Sequence, residues 1–275
     1  MASAAVGLVE SQRDVVRLVT DEEVATFWKN GWVKIPGLLD RQAAAALLAR
    51  SKGVFGEDGR MGLEPAQSAD KPTGYDYRTW FRSHYFADQC GDDVMAVARS
   101  ENLGKNVARL YGRDCPIRLL LNNFQVKLPR ETGVGEGTVF HQDTSGFRYI
   151  EGAIISVWVA LDEVTEDMGG LQFRTGSHTL GDLGTMQGWE GRLEQFPKSP
   201  SMILQPGDAT AHVEYIFHGT GPNLSNRPRW SWTAIIGAGD AKYTGAQSPY
   251  GDHLGLEPGA LLDHPSAPLI YTPGE

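Results

Sequence analysis

From about Ile117 onward the chain is broken by Gly and Pro into short apolar or alternating runs, and this punctuation limits the possible folds more than any other feature. The runs are Leu119 to Leu128, Gly152 to Leu161, Leu171 to Arg174, Met202 to Leu204, Ala209 to Phe217 and Trp230 to Gly237. Several short strands at this spacing predict a mainly β fold, a sandwich or barrel. Pro206-Gly207-Asp208 reads as a turn between two of them. At 275 residues the chain is long enough to bury a large core, and one domain spanning 1–275 is expected, with 1–19 as a flexible N-terminal segment. No internal repeat is present. The Gly- and Pro-rich tail after Gly239 is expected to lie as loops over the barrel.

Ahead of the strands, Thr20-Asp21-Glu22-Glu23 has the spacing of a capping box and predicts a helix start. Val24, Phe27 and Trp28 would share one face of that helix, and Gly31 is placed to end it. Trp32 to Ile35 alternates as a short strand closed by Pro36, and Asp40 can cap a second helix through Ala43 to Ala49. Residues 53–74 have no apolar period and predict a long loop. Tyr75, Tyr77, Trp80, Phe81, Tyr85 and Phe86 follow it; they either wall a substrate pocket or pack in the core.

Composition removes several functional classes. A formal net charge of -9, with no basic cluster, opposes binding to a phosphate backbone, so no nucleic-acid partner is expected. The first residues lack a basic leader followed by an apolar run, and no later segment is apolar enough to span a bilayer, so neither a secretory signal nor membrane association is expected. Two cysteines, Cys90 and Cys115, cannot build a disulfide framework, which fits a reducing cytoplasm.

His141-Gln142-Asp143 and, far downstream, His218 supply two imidazoles and one carboxylate. Such a set can hold iron(II) on one face and leave its other coordination positions open. In a strand, positions two apart face the same way, so His141 and Asp143 would grip one ion while Gln142 points away. His218 would come from the end of the Ala209 to Phe217 strand and staple it to the first. His212 has the same strand parity and remains its rival.

Arg229 and Ser231 share a face at the start of another strand, opposite Trp230 and Trp232. A guanidinium fork beside a hydroxyl suits a carboxylate, a contact contributing on the order of 1.5–3 kcal/mol. Arg227 has the same parity and is the alternative fork.

With Phe140-His141-Gln142-Asp143, Trp158-Val159-Ala160-Leu161-Asp162, Gly169-Gly170-Leu171, Thr175-Gly176-Ser177-His178, Gln205-Pro206-Gly207-Asp208 and His218-Gly219-Thr220-Gly221-Pro222-Asn223 in this order, the chain resembles the phytanoyl-CoA dioxygenase family of iron(II)- and 2-oxoglutarate-dependent oxygenases. The resemblance extends to Asn30-Gly31-Trp32-Val33-Lys34-Ile35-Pro36 and to Arg227-Pro228-Arg229. It implies a double-stranded β-helix, a cupin-like jelly-roll of two antiparallel sheets with N-terminal helices packed on one of them. It places the iron ligands on His141, Asp143 and His218 and the distal 2-oxoglutarate arginine on Arg229. Trp158, Thr220, Asn123, Gln125 and Lys127 match positions of the co-substrate pocket in relatives. Met168 departs from the Asn common there and leaves only local loop structure open.

The resemblance further implies consumption of dioxygen and 2-oxoglutarate coupled to oxidation of an unactivated C–H bond in a small metabolite, including those of secondary metabolism. Asp143 fills the corner that halogenating relatives leave for a halide, so hydroxylation is expected over chlorination. Desaturation, ring closure and epimerisation remain open. So do a cupin-like metalloenzyme without 2-oxoglutarate and a silent binding protein of the same fold. No phosphate-binding loop argues for coenzyme A.

Overall fold

The computed structural model describes residues 14–63, 79–184 and 190–274. The capping box forms: Thr20 Oγ1 accepts from Glu23 N at 3.2 Å, Glu23 Oε2 accepts from Thr20 N at 2.8 Å, and helix α1 (Asp21–Asn30) starts there. Gly31 ends it at φ 80°, where a Cβ would fall 2.4 Å from His178 Nδ1. Phe27 is buried but Trp28 is 55% exposed. One residue advances about 100° around a helix, and that step carries Trp28 off the buried face. Strand β1 (Trp32–Ile35) follows, and Asp40 caps α2 (Arg41–Phe55) by accepting from Gln42 N at 2.7 Å and Ala43 N at 3.2 Å.

Two loop expectations change. Helix α2 continues to Phe55, so irregular chain begins at Gly56 and not at Gly53; the remainder of that loop from 64, with Tyr75 and Tyr77, lies outside the described residues. The segment expected to be flexible up to 19 is packed from Asp14. Val16 and Val19 are each 2% exposed, Asp14 accepts from Ser100 Oγ at 2.8 Å, and the Asn106 amide binds both Val19 N and Arg17 O at 2.8 Å.

After β2 (Arg82–Tyr85) come α3 (Asp92–Ala98) and α4 (Glu101–Tyr111), which have no counterpart in the sequence reading. Then follow β3 (Ile117–Lys127), β4 (Ile150–Glu151), β5 (Ile154–Ala160), β6 (Leu171–Phe173), β7 (Ala209–Val213), β8 (His218–Thr220), β9 (Arg229–Ala238), β10 (Lys242–Tyr243) and β11 (Leu269–Tyr271). The large antiparallel sheet has the order β1-β7-β5-β9-β3-β11, with β2 also paired to β3. The smaller sheet pairs β6 with β8 and gains a third edge from residues 138–141, through Thr220 N to Thr138 O and reciprocal bonds between His141 and His218, each 3.0 Å. This is the expected jelly-roll. The run Ala209 to Phe217 is not one strand, however. It leaves the large sheet at Val213, turns through Glu214–Phe217, and joins the small sheet at His218. Leu204 makes only one bridge, to Val164.

Strand alternation gives the large sheet two different faces. Phe124, Val126, Val157, Val159, Trp230, Trp232 and Ala211 point at the helices and share a core with Leu47, Phe55, Leu103 and Val107. Each large apolar side chain buried there contributes roughly 1.5–3 kcal/mol. The opposite face carries Asn123, Gln125, Ser156, Trp158, His212, Arg229 and Thr233 toward a cavity. The tail does more than drape: β11 edges the large sheet, and Leu254, Leu262 and Ala267 form a second apolar cluster with Leu121, Tyr149 and Ile154. Among the described residues no helix is long and apolar enough to cross a membrane.

Candidate metal centre and adjoining cavity

His141 and His218 are neighbours because their backbones exchange both hydrogen bonds of an antiparallel bridge, which sets their rings 4.4 Å apart. Each ring is turned the same way. His141 Nδ1 lies 2.9 Å from Val139 O and His218 Nδ1 lies 3.2 Å from Ile216 O. A carbonyl can only accept, so Nδ1 carries the proton in both and Nε2 keeps a free lone pair, the form in which imidazole binds metal.

Asp143 reaches the same point by a route that strand alternation did not foresee. It sits at the start of a 3-10 turn, Asp143–Ser145, with its N–H given to Glu214 O at 3.0 Å. Its Oδ1 lies 3.9 Å from His141 Nε2 and 3.6 Å from His218 Nε2, and one ligand atom from each of the three residues falls within 4.8 Å of the others. Gln142 does point away. Its buried amide donates to Gly181 O and Tyr215 O, both at 2.7 Å, and accepts from Leu183 N, anchoring the turn.

Charge at this point suits a cation. Burial, and then His212 beside it, push the His218 imidazole well below its ordinary pKa, so it is neutral at physiological pH. Burial works to raise the Asp143 pKa, but the surrounding histidines, His218 first, and the hydrogen bond from His212 outweigh it and hold the carboxyl well below the usual range. A neutral imidazole beside an ionised carboxylate needs no proton release before taking a metal.

Arg229, 2% exposed, lies in the wall of the same cavity, which has a volume of about 340 Å³. Its guanidinium stands 5.1 Å over the Trp158 ring and donates from Nη1 to Gly169 O, while its Nε has no hydrogen-bond partner. Burial lowers its pKa to about 9, which leaves it charged at neutral pH, yet among the described residues no carboxylate pairs with it. A buried cation without a counter-ion is costly, and an anionic ligand would relieve that cost. Arg227, its rival, is half exposed and pairs with Asp162 at 3.1 Å and Glu163 at 3.6 Å on the surface.

Asn123, Gln125, Trp158 and Thr220 line the cavity as expected, and so do Trp80, Phe81 and Tyr85. Phe86 packs instead into the second apolar cluster. Lys127 and Ser231 are not brought to the cavity surface. Lys127 lies opposite Arg229 on β3, fully buried, with Nζ turned to Glu136 O and Gly221 O; Ser231 Oγ is buried without a partner. Alternation fixes the face of a strand residue but not its depth along the cavity. His212 is in the site, though outside the tight cluster: its Nε2 is 3.1 Å from Asp143 Oδ2. Ser156, Thr138, Thr233, Phe147 and Tyr250 also line the cavity without having been singled out. Strand parity with Trp158 could have found Ser156, and parity with Arg229 could have found Thr233.

Known proteins give the same picture. The family pattern described as Phytanoyl-CoA dioxygenase (PhyH) matches residues 27–231. The dioxygenase lolE1 of Epichloe uncinata is 23% identical over 77% of this chain and 80% of its own length. Phytanoyl-CoA dioxygenase domain-containing protein 1 of Danio rerio is 23% identical over 80% and 90%. Among solved structures, the non-heme alpha-ketoglutarate-dependent epimerase SnoN from nogalamycin biosynthesis superposes with a TM-score of 0.70 at 25% identity, covering 90% of this chain and 97% of SnoN. The carbocyclase SnoK from the same biosynthesis gives 0.73 at 21% identity, covering 91% and 96%. With its pattern matched over most of its length, this chain belongs to the phytanoyl-CoA dioxygenase family and is an oxidoreductase of that family.

Proposed function

We propose that the chain is an iron(II)- and 2-oxoglutarate-dependent oxygenase that oxidises a C–H bond of a neutral, largely apolar small molecule. The observation that carries this reading is the pairing, in one cavity, of the His141, Asp143 and His218 cluster with a buried Arg229 that has no counter-ion among the described residues. When bound, iron and 2-oxoglutarate supply oxidative decarboxylation to succinate and carbon dioxide, coupled to attack on the substrate by an oxygen atom from dioxygen. His141, Asp143 and His218 would hold the ion, and Arg229 the far carboxylate of the co-substrate. The Trp158 ring beneath the guanidinium keeps water from its face, so the carboxylate meets a poorly hydrated fork. Asn123, Gln125 and Thr220 offer polar atoms along the same wall.

The cavity is also walled by Trp80, Phe81, Tyr85, Leu121, Phe147, Ile235 and Tyr250, with no formal charge among them. Such a lining favours an uncharged molecule with flat apolar faces over a coenzyme A thioester, whose phosphates call for cations. The relatives SnoN and SnoK, named as epimerase and carbocyclase of nogalamycin biosynthesis, support a secondary metabolite as substrate. Asp143 occupies the ligand corner, which favours hydroxylation, or redirection to another C–H outcome by substrate placement, over halogenation.

Anaerobic addition of iron(II) and then 2-oxoglutarate should give a visible charge-transfer band, and aerobic incubation should release succinate. Asp143→Ala should abolish the succinate release. A wild-type protein that binds iron but never develops the band would leave a metalloenzyme without this co-substrate.

A further inference from the structure

We infer that His212 and Ser156 are positioning residues that hold the second carboxylate oxygen of Asp143, so that Asp143 offers a metal only Oδ1; this rests on the metal-site reading above. Ser156 on β5 and His212 on β7 are directly paired across antiparallel strands, so both side chains leave the same face of the sheet at the same level. Both end on Asp143 Oδ2: His212 Nε2 at 3.1 Å and Ser156 Oγ in a short hydrogen bond. Oδ1 is left facing Nε2 of His141 and of His218.

An ionised carboxylate only accepts, so His212 donates from Nε2–H, and that nitrogen has no lone pair for a metal. The rest of its ring is fixed by packing. It is 3% exposed, 5.4 Å from the Phe173 ring and 4.3 Å from that of His218, and its Nδ1 makes no hydrogen bond among the described residues. His212 therefore enters the site as a support for a ligand. The consequence is one of coordination number. Two imidazoles and a one-oxygen carboxylate leave three positions of an octahedral ion open, whereas a two-oxygen carboxylate would leave two, too few for a chelating keto acid and a further ligand.

The test is binding of Co(II) alone, without co-substrate or turnover, read by calorimetry and by the visible d–d spectrum. His212→Phe and Ser156→Ala should each weaken Co(II) binding by about 10- to 100-fold, the usual effect of losing an outer partner of a ligand, and should alter the spectrum. His212→Gln, whose amide can donate to the same oxygen, should recover most of both, while His218→Ala should lose the ion. If His212→Phe binds Co(II) with wild-type affinity and spectrum, whatever its Tm, His212 merely packs and the inference fails. If His212→Phe loses the ion and His218→Ala keeps it, His212 is the ligand and the inference again fails. Wild-type protein that binds no Co(II) overturns the metal-site reading itself, and this one with it.

Discussion

One wall of the cavity is carried by strand residues at two-residue spacing, Asn123 and Gln125, Ser156 and Trp158, Thr233 and Ile235, whereas Trp80, Phe81, Phe147 and Tyr250 line it from outside the strands. The wall is locked by a continuous hydrogen-bond ladder across β7, β5, β9 and β3, so each side chain keeps its place relative to the others. The latter four sit on irregular chain, with the Trp80 ring stacked 6.3 Å from that of His141 and Phe147 5.9 Å from Tyr250. The buried guanidinium of Arg229 therefore sits on the sheet, while His141 and Asp143 reach the same cavity from segments outside the strands, held by backbone bonds to His218 and Glu214.

The largest effect is expected at Arg229. Arg229→Met should weaken 2-oxoglutarate, read from the titrated charge-transfer band, by roughly 10- to 150-fold, the equivalent of about 1.5–3 kcal/mol for a charge-assisted fork. Metal affinity should not change. The ligand-free variant should also melt higher than wild type, because a fully buried guanidinium with no counter-ion among the described residues is replaced by an apolar side chain of similar length. Unchanged co-substrate binding would remove the wall from the chemistry altogether.

How much of this was legible in the sequence differs between the same two regions. Local signals were readable wherever local physics decides: the Thr20 capping box, the left-handed Gly31, and the two-residue alternation that put Arg229 and Trp230 on opposite faces of β9. The sequence reading contains no α4, although Ser100 and Gly112 bracket it and Leu103, Val107 and Leu110 mark its buried side. Other features depend on contacts the pattern does not hold. The run from Ala209 to Phe217 shows no Gly or Pro at the place where it breaks, and the Glu214 carbonyl in that turn is used by Asp143 N from another segment. The meeting of His212 with Ser156 needs the register of β5 against β7, which no single strand specifies.

A second, smaller effect is expected at Lys127, behind the cavity wall. Burial first, and the charge of Arg229 opposite it second, lower its pKa to about 6 against a partial opposing pull from Glu136. Between about pH 6 and the ordinary lysine value of 10.5 the folded protein holds this amine neutral while the unfolded chain holds it protonated. The unfolded state then binds more protons, so this residue makes stability rise with pH across that window. Lys127→Met should raise the Tm near pH 7 by about 2–4 °C for each kcal/mol gained, and the advantage should fade toward pH 10. A fall in Tm at every pH would show that the bonds to the Glu136 and Gly221 carbonyls outweigh the cost of burying the amine.

The smallest effect is expected at Tyr250. Tyr85 Oη and Tyr250 Oη lie 2.8 Å apart, joining β2 to the tail beside the aromatic lining. The hydroxyls are on the exposed side, where one hydrogen bond contributes on the order of 0.5–1 kcal/mol. Tyr250→Phe removes one hydroxyl and keeps the ring, so the Tm should shift by only about 2–4 °C at most, and Co(II) affinity and the 2-oxoglutarate band should match wild type. What should change is the substrate-dependent rate of succinate release, through KM more than kcat, because neither hydroxyl reaches the ligand cluster. A tenfold loss of 2-oxoglutarate affinity from this single oxygen would mean that the loops and the sheet act as one unit, and that substrate recognition cannot vary without disturbing the co-substrate.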